Sequence, residues 1–131
     1  MSWKEVELTG WGRTSHRTAS TARPEREVEL TAVLRDGFAA GGLVAHGGLR
    51  SYGDQALPAH DDQYSLSTAR LDRVLAFDPL SGRVTVEAGV TFRDMVRIFS
   101  PKGWLIPVSP GTAFATMGGA VANDVHGKNH D

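Results

Sequence analysis

Ala45-His46-Gly47-Gly48-Leu49-Arg50-Ser51-Tyr52-Gly53-Asp54 is the stretch on which the reading of this chain turns. A short apolar run, Leu43-Val44-Ala45, opens into a loop containing Gly47, Gly48 and Gly53, the pattern of a buried strand that ends in a tight connection. Successive backbone N–H groups in such a loop can turn inward as an anion nest, and a diphosphate fits there. The residues match neither G-x-x-x-x-G-K-S/T for a nucleoside triphosphate nor G-x-G-x-x-G opening a long helix, because polar Gln55 and then Leu57-Pro58 follow. By residue type alone, a plain tight turn and a phosphate site both stay open.

Working outward, Gly41-Gly42 precedes this strand, and before it Glu25 to Phe38 places Leu30, Val33, Leu34 and Phe38 on one stripe. Acidic Glu25 and Glu27 in the first turn and Gly37 near the end make this an amphipathic helix. Residues 1–23 are polar and rich in Ser, Thr and Arg, with Trp3 and Trp11 as the only large anchors. They read as an irregular arm laid over a surface.

Downstream, Tyr64 to Ser67 is a weak strand signal. Val74 to Phe77 and Arg83 to Ala88 are stronger, and Asp78-Pro79-Leu80-Ser81-Gly82 between them predicts a hairpin. Alternation of Val84, Val86 and Ala88 with Arg83, Thr85 and Glu87 gives its second strand one wet face. Thr91 is a good N-cap with Asp94 three residues on, and Phe92, Met95, Val96 and Phe99 form the apolar stripe of a helix that stops before Pro101. Trp104 to Val108 is extended, Ser109-Pro110-Gly111-Thr112 is a turn, and Thr116 caps a last helix through Asn123.

That last helix carries Gly118-Gly119, each costing about 1 kcal/mol relative to Ala. Either another backbone packs there or a flat ligand approaches the helix start. His126-Gly127-Lys128-Asn129-His130-Asp131 then clusters groups able to hold protons or anions. His126 and His130 have metal-ligand spacing, but no third ligand is evident and the chain has no Cys, so no metal is expected.

The 131 residues and 14.1 kDa fit one ordinary domain, and 40% hydrophobic residues supply a core that can bury roughly two thirds of the unfolded surface. Net charge is −1 with a pI near 6.5, which gives no global field to gather nucleic acid or anionic lipid. Absence of Cys removes disulfides, thiolate metal sites and a thiol nucleophile. Lys4, Glu5 and Glu7 stand where a signal peptide needs an apolar run. No apolar stretch approaches the about 18 residues that span a membrane. These features place the chain in the cytoplasm, with peripheral membrane association compatible.

Ala45 to Asp54, together with Val108-Ser109-Pro110-Gly111-Thr112 and Thr116 through His130, resembles the FAD-binding half of the vanillyl-alcohol oxidase and p-cresol methylhydroxylase family. The branch it is most similar to is the decaprenylphosphoryl-β-D-ribose 2′-oxidase group. The match runs from about Glu25 to Asp131, with several motifs in the right order.

The resemblance implies an α+β fold, the first α/β lobe of a PCMH-type FAD-binding domain, truncated. Residues 1–24 are then an N-terminal arm and residues 25–131 the N-terminal portion of that domain, with the second lobe and substrate domain absent. Ala45, His46, Gly47, Gly48, Leu49, Arg50, Ser51, Tyr52, Gly53, Asp54 and Gln55 wrap the pyrophosphate. Gly111, Thr116, Met117, Gly118 and Gly119 lie along the dinucleotide and flavin, where bare backbone lets a flat ring come close. Asn123, Asp124, Val125 and His126 touch the isoalloxazine edge, and His126 and Lys128 face the substrate as the candidate catalytic pair.

Three positions depart from the pattern. Leu49 replaces a glycine, which is costly if its φ is positive. His46 replaces an arginine, and Arg50 stands where flavinylated relatives carry the linking histidine, so FAD is expected to be non-covalent. The implied function is an FAD-dependent oxidoreductase oxidising a secondary alcohol of a sugar or polyol, decaprenylphosphoryl-ribose-like, by hydride transfer to the flavin, with this stretch alone inactive. The other reading is a non-catalytic module holding a nucleotide diphosphate weakly or completing its fold on a partner chain. No nucleic-acid partner is expected, and a missing C-terminal half or partner chain is.

Overall fold

The computed structural model describes residues 2–127. Strands β1 (Lys4–Thr9), β2 (His16–Ala22), β3 (Leu43–His46) and β4 (Gln63–Ser67) form one sheet in the order β1-β2-β4-β3. β1 pairs antiparallel with β2, while β4 lies parallel to both β2 and β3. Helix α1 (Leu30–Ala39) connects β2 to β3, leaving a gap that β4 fills.

Ala19 and Ala22 on β2 are three residues apart and so face opposite sides of this sheet. On one side Ala22, Val33 and Leu66 form a core with Trp3, Leu30 and Leu43, which seats α1. On the other side Leu8, Ala19 and Leu57 pack with Val6 and Leu49. The glycine-rich loop is therefore anchored through Leu49 in the sheet's own core.

A second unit is built from β5 (Val74–Phe77), β6 (Val84–Val86) and α2 (Phe92–Phe99). The two strands form the expected hairpin, and Val84 and Val86 join Val90, Met95, Phe99 and Trp104 in one apolar cluster. Thr91 caps α2 reciprocally: its Oγ1 accepts from the Asp94 N–H at 3.1 Å, and Asp94 Oδ2 accepts from the Thr91 N–H at 3.0 Å. Helix α3 (Met117–Ala122) closes the described chain, and Thr116 Oγ1 accepts from the Gly119 N–H at 3.2 Å.

Two expectations are corrected. Residues 4–22, read as part of an irregular arm, form the β1–β2 hairpin instead. β1 is an edge strand whose Lys4, Glu5 and Glu7 suit solvent, and β2 is made of small residues such as Ala19, Ser20 and Thr21 that a search for bulky apolar residues passes over. The first helix begins at Leu30 behind a 3-10 turn at Glu27–Glu29, because the Glu29 carboxylate accepts from the N–H groups of Glu25 and Arg26 and tightens that turn. Its stripe is buried at Val33, while Phe38 remains 71% exposed.

Candidate functional site

The glycine-rich loop leaves β3 at His46 and returns to the surface at Asp54, with Ala45, Arg50, Tyr52, Gly53, Asp54 and Gln55 exposed. Leu49 has φ +52°, so the departure from glycine is a real strain, held in place by Leu49 packing against the Leu8, Ala19 and Leu57 core. Among the described residues, no hydrogen bond within the chain takes up the backbone N–H groups of Gly48 to Gly53. Those donors are free to meet an anion.

Gly47 and Gly48 are small for a reason internal to the chain. A Cβ on Gly47 would overlap the Thr116 hydroxyl, and one on Gly48 would lie 2.6 Å from the Phe114 carbonyl oxygen. The loop and the segment leading into α3 thus form one continuous backbone surface. That segment is held from its other side by residues 88–93: the Phe92 and Arg93 N–H groups donate to the carbonyls of Ala115 and Ala113 at 3.1 and 2.8 Å. Met117 and Gly118 donate to Val90 and Ala88 at 2.7 and 2.9 Å.

The two glycines of α3 divide. A Cβ on Gly118 would lie 2.8 Å from the Ala88 Cβ and 3.0 Å from the Ala88 carbonyl oxygen, so Gly118 is small where two protein segments cross. Among the described residues a Cβ on Gly119 meets only the Thr116 hydroxyl of its own cap, at 3.1 Å. A Cβ on Gly111 meets nothing within 4 Å among the described residues.

Beyond α3, Asn123 Nδ2 donates to the Gly119 carbonyl at 2.8 Å, the Val125 N–H donates to Ala120 at 2.9 Å, and Asp124 takes φ +47°. Asn123 to Val125 therefore finish the helix. His126 is exposed with Nδ1 3.2 Å from the Asp124 carbonyl oxygen. Lys128, and the His130 partner in the metal-spaced pair, lie outside the described residues.

His46 is buried at 7% exposure, its Nδ1 3.3 Å from the Gly47 carbonyl oxygen and its Nε2 without a partner. Burial holds the imidazole below its usual range and the charge on Arg23 adds to this, so the ring is neutral at pH 7. His46 does not supply the cation of this loop. Two arginines gather at Phe114 instead: the guanidiniums of Arg50, in the loop, and Arg93 sit 5.3 and 5.7 Å from its ring centroid, and among the described residues neither forms an ion pair. Sequence reasoning missed Phe114, Arg93 and Ala88, whose backbone or ring contacts leave no motif.

With this geometry in hand, comparison with known proteins is decisive, because the profile of the FAD binding domain family matches residues 18–131. The chain belongs to the FAD binding domain family. A decaprenylphosphoryl-beta-D-ribose oxidase from Mycolicibacterium smegmatis is 38% identical over 125 residues, covering 94% of this chain and 27% of that protein. L-gulonolactone oxidase 5 from Arabidopsis thaliana is 28% identical over 119 residues, covering 89% and 20%. This FAD binding domain also superposes on a solved cholesterol oxidase from Brevibacterium sterolicum with a TM-score of 0.79 at 15% identity, over 96% of the chain and 25% of the oxidase. An alkyldihydroxyacetonephosphate synthase gives a TM-score of 0.74 at 18% identity, over 85% and 23%. The expected α+β FAD-binding lobe is borne out, and the chain spans about a quarter of the length of these relatives. Among the described residues no helix is long and apolar enough to cross a membrane.

Proposed function

We propose that this chain holds FAD non-covalently as part of an oxidoreductase that oxidises a secondary alcohol of a sugar or polyol. The observation that carries the reading is the row of N–H donors from Gly48 to Gly53 that no group among the described residues takes up, set beside Arg50, which forms no ion pair among them. These groups fit a diphosphate: amide donors and a guanidinium neutralise its charge. Bare backbone at Gly119 and Gly111 fits a flat or extended group lying along the segment that leads into α3.

When bound, FAD supplies the hydride acceptor, and the protein contributes position and electrostatics. Arg50 stands where a linking histidine would be, so that position offers no attachment residue. His126 directs Nδ1 to the Asp124 carbonyl, so Nε2 is the atom left to exchange a proton with a substrate hydroxyl, with Lys128 proposed beside it. A decaprenylphosphoryl-ribose-like substrate is favoured by the 38% identity to a protein named for that activity. Turnover is assigned to a protein of the relatives' length, in the cytoplasm or at a membrane surface, and not to these 131 residues alone.

The test is an equilibrium titration of the purified chain with FAD, followed by competition with ADP and with riboflavin. Displacement by ADP and none by riboflavin supports a site dominated by the diphosphate nest. Displacement by riboflavin alone contradicts it. Acid precipitation then reads the linkage: yellow colour left in the supernatant is the non-covalent result, and flavin retained in the pellet overturns that part.

A further inference from the structure

The turn between β1 and β2 is built against the glycine-rich loop. The Trp11 N–H donates to the Ser51 carbonyl at 2.9 Å. A Cβ on Gly10 would lie 2.6 Å from the Gly53 carbonyl oxygen, and one on Gly12 would lie 2.9 Å from that of Tyr52. Three successive turn residues therefore touch three successive loop carbonyls. The Trp11 ring adds a fourth contact, with the Arg50 guanidinium 5.5 Å from its centroid and 5.3 Å from that of Phe114.

This arrangement serves no core. Trp11 is 56% exposed and takes no part in the clusters that hold the sheet or α2, so its contacts do little for the fold. Their effect falls on the loop. With its carbonyls at Ser51, Tyr52 and Gly53 turned toward the hairpin, the loop has its N–H groups free on the remaining directions. The arginine beside them lies within cation–π range of both the Trp11 and Phe114 rings. The turn also lies ahead of residue 18, where the family match begins.

We propose that the Gly10–Arg13 turn is a clamp that preorganises the Gly47–Asp54 loop, with Trp11 as a positioning residue that fixes Ser51 through its backbone and Arg50 through its ring. The value of the clamp to a ligand rests on reading the loop as the FAD site. Ordering the loop before binding removes a cost that a mobile loop would pay when FAD arrives.

Two variants separate the clamp from a merely structural role. Gly10 to Arg13 form a turn closed by the Arg13 N–H on the Gly10 carbonyl at 3.1 Å. Trp11 therefore occupies its second position, where proline is favoured. Trp11→Pro keeps the turn, removes the indole and puts a ring carbon where the N–H met the Ser51 carbonyl, so that carbonyl must move away, and Trp11→Phe keeps both a ring and the N–H. Amide order parameters are measured in the ligand-free chain, with a thermal melt to confirm folding. We expect Trp11→Pro to melt close to the parent while Ser51, Tyr52 and Gly53 become mobile, and Trp11→Phe to retain parental order. In FAD titration Trp11→Pro should bind about tenfold more weakly, the scale of one lost hydrogen bond, with Trp11→Phe near the parent. Unchanged loop order in Trp11→Pro overturns the clamp. A loosened loop with unchanged FAD affinity overturns the positioning role. A loosened loop in a chain where no variant, parent included, binds FAD leaves the clamp standing and refutes the FAD reading.

Discussion

Gly48 lies so close to Phe114 that a Cβ on it would sit 2.6 Å from the Phe114 carbonyl oxygen. The two glycine-containing motifs of the chain are joined at this point, and the neighbouring Gly47 meets Thr116 in the same way. Gly48→Ala should therefore cost about 1–3 kcal/mol as an overpacked contact against backbone that cannot move aside. A denaturant melt checks it; a change below about 0.5 kcal/mol would mean that the segment at Phe114 gives way freely.

Leu49 offers the opposite experiment. Its φ of +52° strains a side chain that is also packed on the Leu8, Ala19 and Leu57 core. Leu49→Gly relieves about 1–2 kcal/mol of left-handed strain while losing apolar burial of similar size, so its stability should stay near the parent. Leu49→Ala loses the burial and keeps the strain. It should be the less stable of the two by about 1 kcal/mol, measured by the same melt.

The capping box of α2 gives a third. Thr91→Ala removes the acceptor of the Asp94 N–H and should cost about 1 kcal/mol. Hydrogen bonding from Thr91 holds the Asp94 carboxyl below its ordinary range. The folded state therefore binds this proton more weakly than the unfolded chain. The contribution is complete above the ordinary aspartate pKa and is lost as pH falls through the lowered value. Asp94→Asn should flatten that acidic part of the stability curve; an unchanged curve contradicts the cap.

His46 acts near neutrality. Its folded-state pKa is lowered by burial, so below the ordinary imidazole value the unfolded chain takes up a proton that the folded chain refuses. Stability from this group is full above that value and falls as pH drops through the lowered one. His46→Phe should remove this fall on the acidic side of neutrality, read as melting temperature against pH. A variant curve parallel to the parent's would show that the imidazole is not desolvated in solution.

Much of the fold was legible where one signal sufficed. The Thr91 and Asp94 pair, the Asp78-to-Gly82 turn and the strand before Gly47 each declare themselves locally, and each is found where the residues put it. The hairpin at residues 4–22 was not legible, because Ala19, Thr21 and Ala22 are buried by pairing with β4 and by packing, neither of which is written in their own pattern. The site divides similarly. Glycine-rich sequence marked both motifs, but small size alone could not tell that Gly118 accommodates Ala88 while Gly119 stays open. The contacts at Trp11, Phe114 and Arg93 depend on segments far apart in sequence meeting at one loop.

The difference between the two neighbouring glycines gives the most direct test that this chain holds FAD against the start of α3. FAD retention after gel filtration is measured together with the thermal melt of the ligand-free chain, for the parent, Gly118→Val and Gly119→Val. The parent should retain FAD. Gly119→Val should lose FAD while its ligand-free melt stays within a few degrees of the parent, because among the described residues its added side chain crowds only the Thr116 hydroxyl, which can give by a few tenths of an ångström. Gly118→Val should lose the fold itself, because its side chain meets Ala88. Retention of FAD by Gly119→Val at parental affinity, with the fold intact, would contradict the claim that the ligand lies along this helix start.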